Sequence, residues 1–358
     1  MDTVVTDKKT LRGKDAASSP APTGGVTLVA IDDGYADTKA YLQSGASVTI
    51  PSRVRTGAHG LIEAVSSADL ASDASYTTEE RKFTVGRHVQ GEDTRWDGFH
   101  LSPHNRVIVH HALRAAGVGG RRVRVAVGLP VGSFYRDGQP NDALIAAKRA
   151  NLQVPVKLLG ASSTPCAMIE DVFVCAQGVT AWIDYAFDDK GAPRPGVATG
   201  PVAVVDIGGR TTDCVVVLPP AQIDPQRSGT LNVGALDVRE TLTTAICREY
   251  GLDSLPDQLA ETALRTGAFK LSGEVVDVSK QKQLALDTHM GRVEDAIKRF
   301  FGQGVDIEQI IFVGGGADLM RSLQQGRRNA VMPDDPAYAN ARGMLKFLVM
   351  QEKQFANG

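Results

Sequence analysis

The sequence predicts an α/β fold made of two similar halves facing each other across a cleft, and three observations point to it. Apolar, β-branched runs alternate with helical periodicities along most of the chain, the pattern of sheets covered by helices. A strand–turn–strand unit occurs twice: VAIDDGYADTK (Val29–Lys39) aligns with VVDIGGRTTD (Val204–Asp213) when Asp32 is set over Asp206. In each copy an apolar strand ends in Asp, a Gly follows two residues later (Gly34, Gly208) and a Thr six residues later (Thr38, Thr212). A third glycine-rich turn, FVGGGADLM (Phe312–Met320), follows another apolar run. Duplication of a whole supersecondary unit implies two halves built alike.

Taken in order, residues 1–25 carry charge and then SSPAPTGG without apolar periodicity, and read as a disordered leader. Structure is expected to begin at Val26–Ile31, a β-branched run stopped by the turn signal DDG. Val123–Val131 reads as a buried strand, and Val154–Leu158 and Asp171–Cys175 as further strands. Between them Asn141–Leu152 has helical spacing with Asn141 as its N-cap. In the second half Val202–Asp206 and Cys214–Leu218 are strands, and Gly234–Tyr250 and Ser279–Phe301 are helices. Ile307–Val313 is a strand running into the triple glycine, with a helix expected from Ala317 and a closing helix over Ala337–Met350. The expected organisation is a leader at 1–25, a first domain at 26–190 and a second at 191–336. The closing helix (337–350) is expected to pack back on the first.

Composition narrows the functional classes. Of 358 residues, 39 are Lys or Arg and 41 Asp or Glu, a formal charge of -2. That balance gives no overall attraction to nucleic acid or an anionic membrane. The cluster Arg106, Arg114, Arg121, Arg122 and Arg124 is the one local exception, and such runs are usually solvated faces. The charge-free window Ala16–Ile31 is too short and too polar to span a bilayer, and the N-terminus lacks the apolar core of a signal peptide. Cys166, Cys175, Cys214 and Cys247 form no CxxC pair and read as small apolar residues in a reducing compartment. A cytoplasmic protein is the expectation.

The chemistry sits in the turns. A tight turn with Gly lets backbone N–H groups approach a phosphate closely. An Asp at a strand end can hold hydrated Mg²⁺, which keeps its waters and takes few carboxylates. A following Lys39 can neutralise phosphate charge. The turn VGGGA fits neither GxGxxG with a ribose-binding acid nor GxxxxGK[ST], so the dinucleotide and P-loop readings fail. Adjacent His110 and His111, in the apolar stretch VIVHHAL, point in different directions and read as packing residues, not metal ligands.

In order, IDDG (Ile31–Gly34), DIGGRTTD (Asp206–Asp213) and VGGGA resemble the two phosphate loops and the adenosine loop of the superfamily of actins, heat-shock chaperones and sugar kinases. Within it, the chain resembles most the ParM (StbA) family of plasmid-segregation actins. That likeness includes the doubled Asp, VHHAL (Val109–Leu113), GLPVGSFY (Gly128–Tyr135), DGQPN (Asp137–Asn141) and KRANL (Lys148–Leu152). It runs from about Val26 to the closing helix and weakens over residues 52–100 and 251–290. The resemblance implies an actin-like fold: two duplicated ribonuclease-H-like halves around a nucleotide cleft. It also implies an ATPase that polymerises into polar filaments with nucleotide bound, disassembles after hydrolysis and drives plasmid partition. A DNA-binding adaptor protein would join filament to plasmid, so no direct nucleic-acid contact and no membrane contact are expected of this chain.

Carried onto this sequence, the resemblance gives Asp32 and Asp206 the hydrated Mg²⁺, and Gly34, Lys39, Gly208, Gly209 and Thr211 the phosphates. Gly314, Gly315 and Gly316 take the adenosine of ATP, with GTP left open. Gln177, in DVFVCAQGVTAW (Asp171–Trp182), falls at the corner that orients the attacking water, where ParM relatives have Glu. Glu170 is the alternative if the register slips. The competing enzyme is a metabolic kinase of the same superfamily, which would need an acceptor pocket and an Asp base where this chain has Gln177.

Overall fold

The computed structural model describes residues 25–58, 73–160 and 164–357; apart from Gly25, the expected leader lies outside them. The first half opens with β1 (Thr27–Asp33), β2 (Asp37–Leu42) and β3 (Ser47–Pro51), an antiparallel meander. A small sheet follows, β4 (Val54–Thr56), β5 (Ala74–Thr78) and β6 (Arg81–Val85), then α1 (Pro103–Ala115) and β7 (Arg122–Leu129). Next come α2 (Val131–Phe134), the hairpin β8 (Tyr135–Arg136) and β9 (Gln139–Pro140), α3 (Asp142–Gln153) and β10 (Lys157–Leu158). The half ends with β11 (Met168–Ala176) and α4 (Val179–Ala186).

The second half repeats the plan with β12 (Val202–Ile207), β13 (Thr212–Leu218), β14 (Gln222–Ile223) and β15 (Gly229–Leu231). It continues through α5 (Ala235–Tyr250), α6 (Asp257–Thr266), the hairpin β16 (Ala268–Leu271) and β17 (Glu274–Asp277), and α7 (Ser279–Phe301). β18 (Gln309–Val313), β19 (Ala330–Val331) and α8 (Ala339–Asn357) complete it. The main sheets have orders β11-β7-β1-β2-β3 and β19-β18-β12-β13-β14, with β15 also on β13. In both, the central strand has an antiparallel partner on one side and parallel strands on the other. Each half places its extra segment between the meander and the next long strand of its sheet.

The central strands are buried almost end to end because helices cover both sheet faces, which is why they read as continuous apolar runs. One core joins Val29, Val125 and Phe83 to Val109 and Leu113 of α1; another joins Val205 and Val216 to Leu242, Ile246 and Ile297 of α5 and α7. The last helix crosses back: Met344, Leu345 and Leu348 of α8 pack on Leu28, Ala30 and Ala126 of the first half's sheet. α8 also meets α4 so closely that a Cβ on Gly343 would stand 1.7 Å from the Thr180 carbonyl oxygen.

Three expectations need correction. No helix starts at Ala317; the segment makes one turn, in which Met320 N–H donates to the Gly316 carbonyl, then a 3-10 stretch, Arg321–Gln324. The strand expected over Val154–Leu158 shrinks to β10, which joins the small sheet through β5; Val154 ends α3, and Pro155 has no N–H to donate to a ladder. The arginine cluster is dispersed: Arg106 is buried against Thr78, Glu79 and Asn151, while Arg122 and Arg124 pair with Glu170 and Glu352. Asn141 does cap α3, its side chain accepting from Leu144 N–H at 3.3 Å. His110 and His111 are buried, and the His111 ring bonds the Tyr76 hydroxyl at 2.9 Å. Among the described residues no helix is long and apolar enough to cross a membrane.

Candidate functional site

The site is built where the two hairpins meet. In the first, Asp32 stands across from Lys39 and Asp33 from Thr38; in the second, Asp206 stands across from Asp213 and Ile207 from Thr212. The turns touch, since a Cβ added to Gly209 would lie 2.7 Å from Ala36 Cβ and 2.8 Å from its backbone nitrogen. Only glycine permits that approach. The third turn reaches the same place because β18 lies parallel to β12, with Val313 beside Asp206. Gly314 has φ +95°, and a Cβ there would stand 2.4 Å from Asp206 Oδ1. The second turn is braced from below: Ala235 and Leu236, opening α5, donate to the carbonyls of Gly208 and Gly209 at 3.0 and 2.8 Å.

One pocket collects these elements. Asp32, Gly34, Lys39, Gln177, Asp206, Gly208, Gly209, Thr211, Gly314 and Gly315 all line it. Gly316 lies just outside, its N–H donating to the Ile207 carbonyl at 2.8 Å. Gln177 sits immediately past the end of β11 and donates Nε2–H to Asp32 Oδ1 at 2.8 Å. Glu170 is near the start of that strand, about 20 Å away along it, with its carboxylate on Arg122. The structure therefore brings Gln177 to the expected group and keeps Glu170 out of it.

Sequence reasoning missed four residues. Asp213 lines the pocket at the position that Lys39 holds in the first hairpin, a correspondence readable from the duplication. Asn340, on α8, donates to Asp206 Oδ2 at 2.6 Å and accepts from Thr180 Oγ1 at 2.8 Å and Gly178 N–H at 3.1 Å; no motif marks it. Lys148, fully buried, pairs with Asp33 at 2.7 Å beneath the first turn. His100 borders the same ion pair and lines the pocket.

The four carboxyl groups differ in how tightly they hold a proton. Burial raises the Asp32 pKa, opposed by Lys39, whose Nζ is 4.0 Å from Oδ2. Burial, and then the charge of Asp32, push Asp206 up to about 6. Burial and Asp206 raise Asp213 well above the carboxylate range, although Val131 N–H (3.0 Å) and the Thr230 hydroxyl donate to it. Asp33 goes the other way: burial opposes its ionisation, but the Lys148 ammonium and the other polar partners of the carboxylate together hold it below its usual range.

The pocket opens, past Tyr35, Ala36, Ala235 and Gly315, into a cleft of about 970 Å³ between the halves. Ion pairs span it: Arg53 with Glu261, and Arg95 with Glu240. Arg210 of the second turn lies 5.1 Å over the Tyr35 ring and pairs with Asp97 at 2.7 Å.

Residues 28–185 match the family model "Plasmid segregation protein ParM, N-terminal", and residues 204–325 match "Archaeal actin homologue MreB-like, C-terminal". Archaeal actin homologs of Thermoplasma volcanium and Thermoplasma acidophilum are each 25% identical over 335 residues, covering 89% of this chain and 97% of theirs. A crystal structure of an archaeal actin homolog superimposes with a TM-score of 0.73 at 22% identity, over 90% of this chain and 99% of that one. A 15-stranded ParM filament from Clostridium botulinum gives 0.74 at 19% identity, over 92% and 100%. An archaeal actin homolog has also been solved in complex with ADP, with a TM-score of 0.72 at 22% identity over 90% and 99%. The architecture is the actin-like fold.

Proposed function

We propose, from the actin-like fold and the two partial family matches, that this chain is an ATP-hydrolysing, filament-forming protein of plasmid partition. The observation that carries the reading is the convergence of both hairpin turns and the third glycine turn on one pocket, with Gln177 bonded to Asp32 inside it. ADP bound to a relative of the same fold supports a nucleotide in the cleft, and a ParM filament among the neighbours supports self-assembly.

The residues present fit a hydrated Mg²⁺. Their donor atoms are oxygens, and buried Asp32 and Asp206 hold raised pKa values that a cation would relieve. Among the described residues no three acidic, His or Cys side chains converge as direct ligands, so Asp32 and Asp206 would hold the ion through its waters. When bound, the ion neutralises charge on the phosphates. Gly34, Gly209 and Thr211 would present donors to phosphate oxygens beside Gly208, whose own N–H is spent on the Thr211 carbonyl at 2.8 Å; Lys39 would add a cation, and Gly314 and Gly315 would face the adenosine, with Gly316 just outside the pocket. Gln177 spends one of its two N–H donors on Asp32, which leaves Oε1 to accept from the attacking water. An amide is no base near neutral pH, so its part is orientation.

A ligand touching both halves closes the cleft by its differential affinity for the closed state, which couples the nucleotide to assembly. In this ParM-like reading DNA contact falls to an adaptor protein, and the net charge of -2 agrees with that. The test is light scattering with phosphate release after adding Mg-ATP, repeated with Mg-GTP. Scattering that rises and then decays with phosphate release is expected. A solution that stays clear and releases no phosphate until a small-molecule acceptor is supplied would favour the kinase; filaments persisting without nucleotide and with Mg²⁺ chelated would break the coupling.

A further inference from the structure

His100 lies on the one-turn 3-10 helix Phe99–Leu101, 6% exposed, with its ring edge-on to Tyr35 at 4.8 Å between centroids. Its Nε2 is buried and has no hydrogen-bond partner among the described residues, a costly state for a polar atom unless something else meets it. The opposite ring nitrogen is not short of company. Lys148 Nζ donates to Asp33 Oδ2 at 2.7 Å and to the Gly128 carbonyl, and lies 3.3 Å from His100 Nδ1. An ammonium has three protons, so the third goes to Nδ1, which must accept it. The other candidate partner of Nδ1, Asp33 Oδ2, is farther at 3.4 Å and already accepts from Lys148 and from Asn105 Nδ2. Burial, and then the Lys148 charge, lower the His100 pKa and keep the ring neutral. A neutral imidazole with Nδ1 accepting carries its proton on Nε2. The unpartnered atom is therefore a donor.

Its position says what it can meet. His100, Gln177 and Asp213 line the phosphate pocket but not the larger cleft, whereas Tyr35, Ala235 and Gly315 line both. A nucleotide with its base in the cleft would thus bring its terminal phosphoryl group to the His100 end. That end is poor in positive charge: four aspartates line the pocket against the single cation of Lys39. Each neutral donor there matters to an incoming anion.

We propose that His100 donates its Nε2–H to a terminal phosphoryl oxygen of the bound nucleoside triphosphate, and so senses the group that hydrolysis removes. This rests on the nucleotide reading above. The Lys148–Asp33 pair acts through His100 by fixing its tautomer, and His100 is the residue that touches the ligand.

Two substitutions separate sensing from bracing. His100→Asn keeps an acceptor near Nδ1 and removes the donor; His100→Gln places an amide N–H near Nε2 and gives up the Nδ1 acceptor. Dissociation constants of the full-length protein for β,γ-imido-ATP and for ADP, with Mg²⁺, give a triphosphate-to-diphosphate preference. We expect His100→Asn to lower that preference about tenfold with ADP affinity and Tm nearly unchanged. His100→Gln should keep the preference within about threefold while losing some Tm. Nitrogen-15 spectra of the ring should show Nε2 protonated in the nucleotide-free protein. An unchanged preference in His100→Asn, loss only in His100→Gln, or a ring protonated on Nδ1 overturns the assignment while leaving nucleotide binding intact. Wild-type protein that binds neither nucleotide overturns the nucleotide reading itself.

Discussion

The two hairpins share a backbone and not a chemistry. Their pairing is the same, Asp32 across from Lys39 and Asp206 across from Asp213, yet the first couples its carboxylate to a cation and the second couples two carboxylates. The first hairpin is thus locally balanced, with Lys39 and Gln177 both facing Asp32. In the second, burial raises both carboxyl pKa values, helped at Asp206 by the Asp32 charge and at Asp213 by Asp206. Duplication supplied a symmetric frame; one position, Lys39 against Asp213, made the frame polar. The first hairpin therefore carries a compensated carboxylate at the pocket and the second an uncompensated pair, so the pocket is electrostatically uneven across the seam.

Breaking the second hairpin should have the largest effect. Asp206→Ala should slow phosphate release by on the order of 10³ while nucleotide affinity falls much less, and any filaments formed should persist. Phosphate release at the wild-type rate would refute the assignment. Next in size is Gln177→Ala, which takes away orientation alone: a loss of on the order of 10² in rate, with affinity and assembly retained. Gln177→Glu should stay active, and Glu170→Gln should leave turnover near normal. The reverse pattern would move the water-orienting role to Glu170. These assays belong above the assembly threshold, where contacts between subunits are present.

The asymmetry can be sharpened with pH. The native form holds the Asp206 proton up to about pH 6, against 3.8 for the ordinary group, so the native state binds more protons in between. Stability of the nucleotide-free protein should therefore fall as pH rises from about 4 through 6, by at most about 3 kcal/mol from this group. Mg²⁺ should bind more tightly over the same interval, because metal and proton compete. Thermal melts of Asp206→Asn should decline less steeply; a parallel decline would remove Asp206 as the cause. Smallest is Asp213→Asn, whose amide oxygen can still accept from Val131 N–H and Thr230. It should stabilise the nucleotide-free protein at pH 7.5 by about 1 kcal/mol and weaken Mg²⁺ binding. Destabilisation would mean that the Asp213 carboxylate is structurally required.

What was legible in the sequence follows the same division. Asp32, Asp206, Gly34 and Gly208 lie in short segments whose spacing encodes a turn, so the duplication exposes them. Asp213 stands in Lys39's place in that alignment, but a carboxylate there carries no spacing signal of its own. Asn340 and His100 were not legible: they reach the pocket through α8 and a 3-10 turn packed from 134 residues after Asp206 and 67 residues after Asp33. The small sheet β4–β6 escaped notice because its strands are short, and only Phe83 and Tyr76 among its large side chains are fully buried. The triple glycine was read correctly as a turn, but the helix after it was not, since Gly316 spends its N–H backward on Ile207.

The near-contact of Gly343 with Thr180 works like the rivet of a pair of scissors. Backbone against backbone leaves no compressible side chain between α4 and α8 at that point, so the two helices are fixed in depth against each other. Asn340, one helical turn from that rivet, grips Asp206 with one end of its amide and Gly178 and Thr180 with the other. A small shift of the carboxylate at the blades' inner edge is thereby geared to the corner that carries Gln177. One amide of α8 thus ties the end of the second half's central strand to the end of the first half's edge strand.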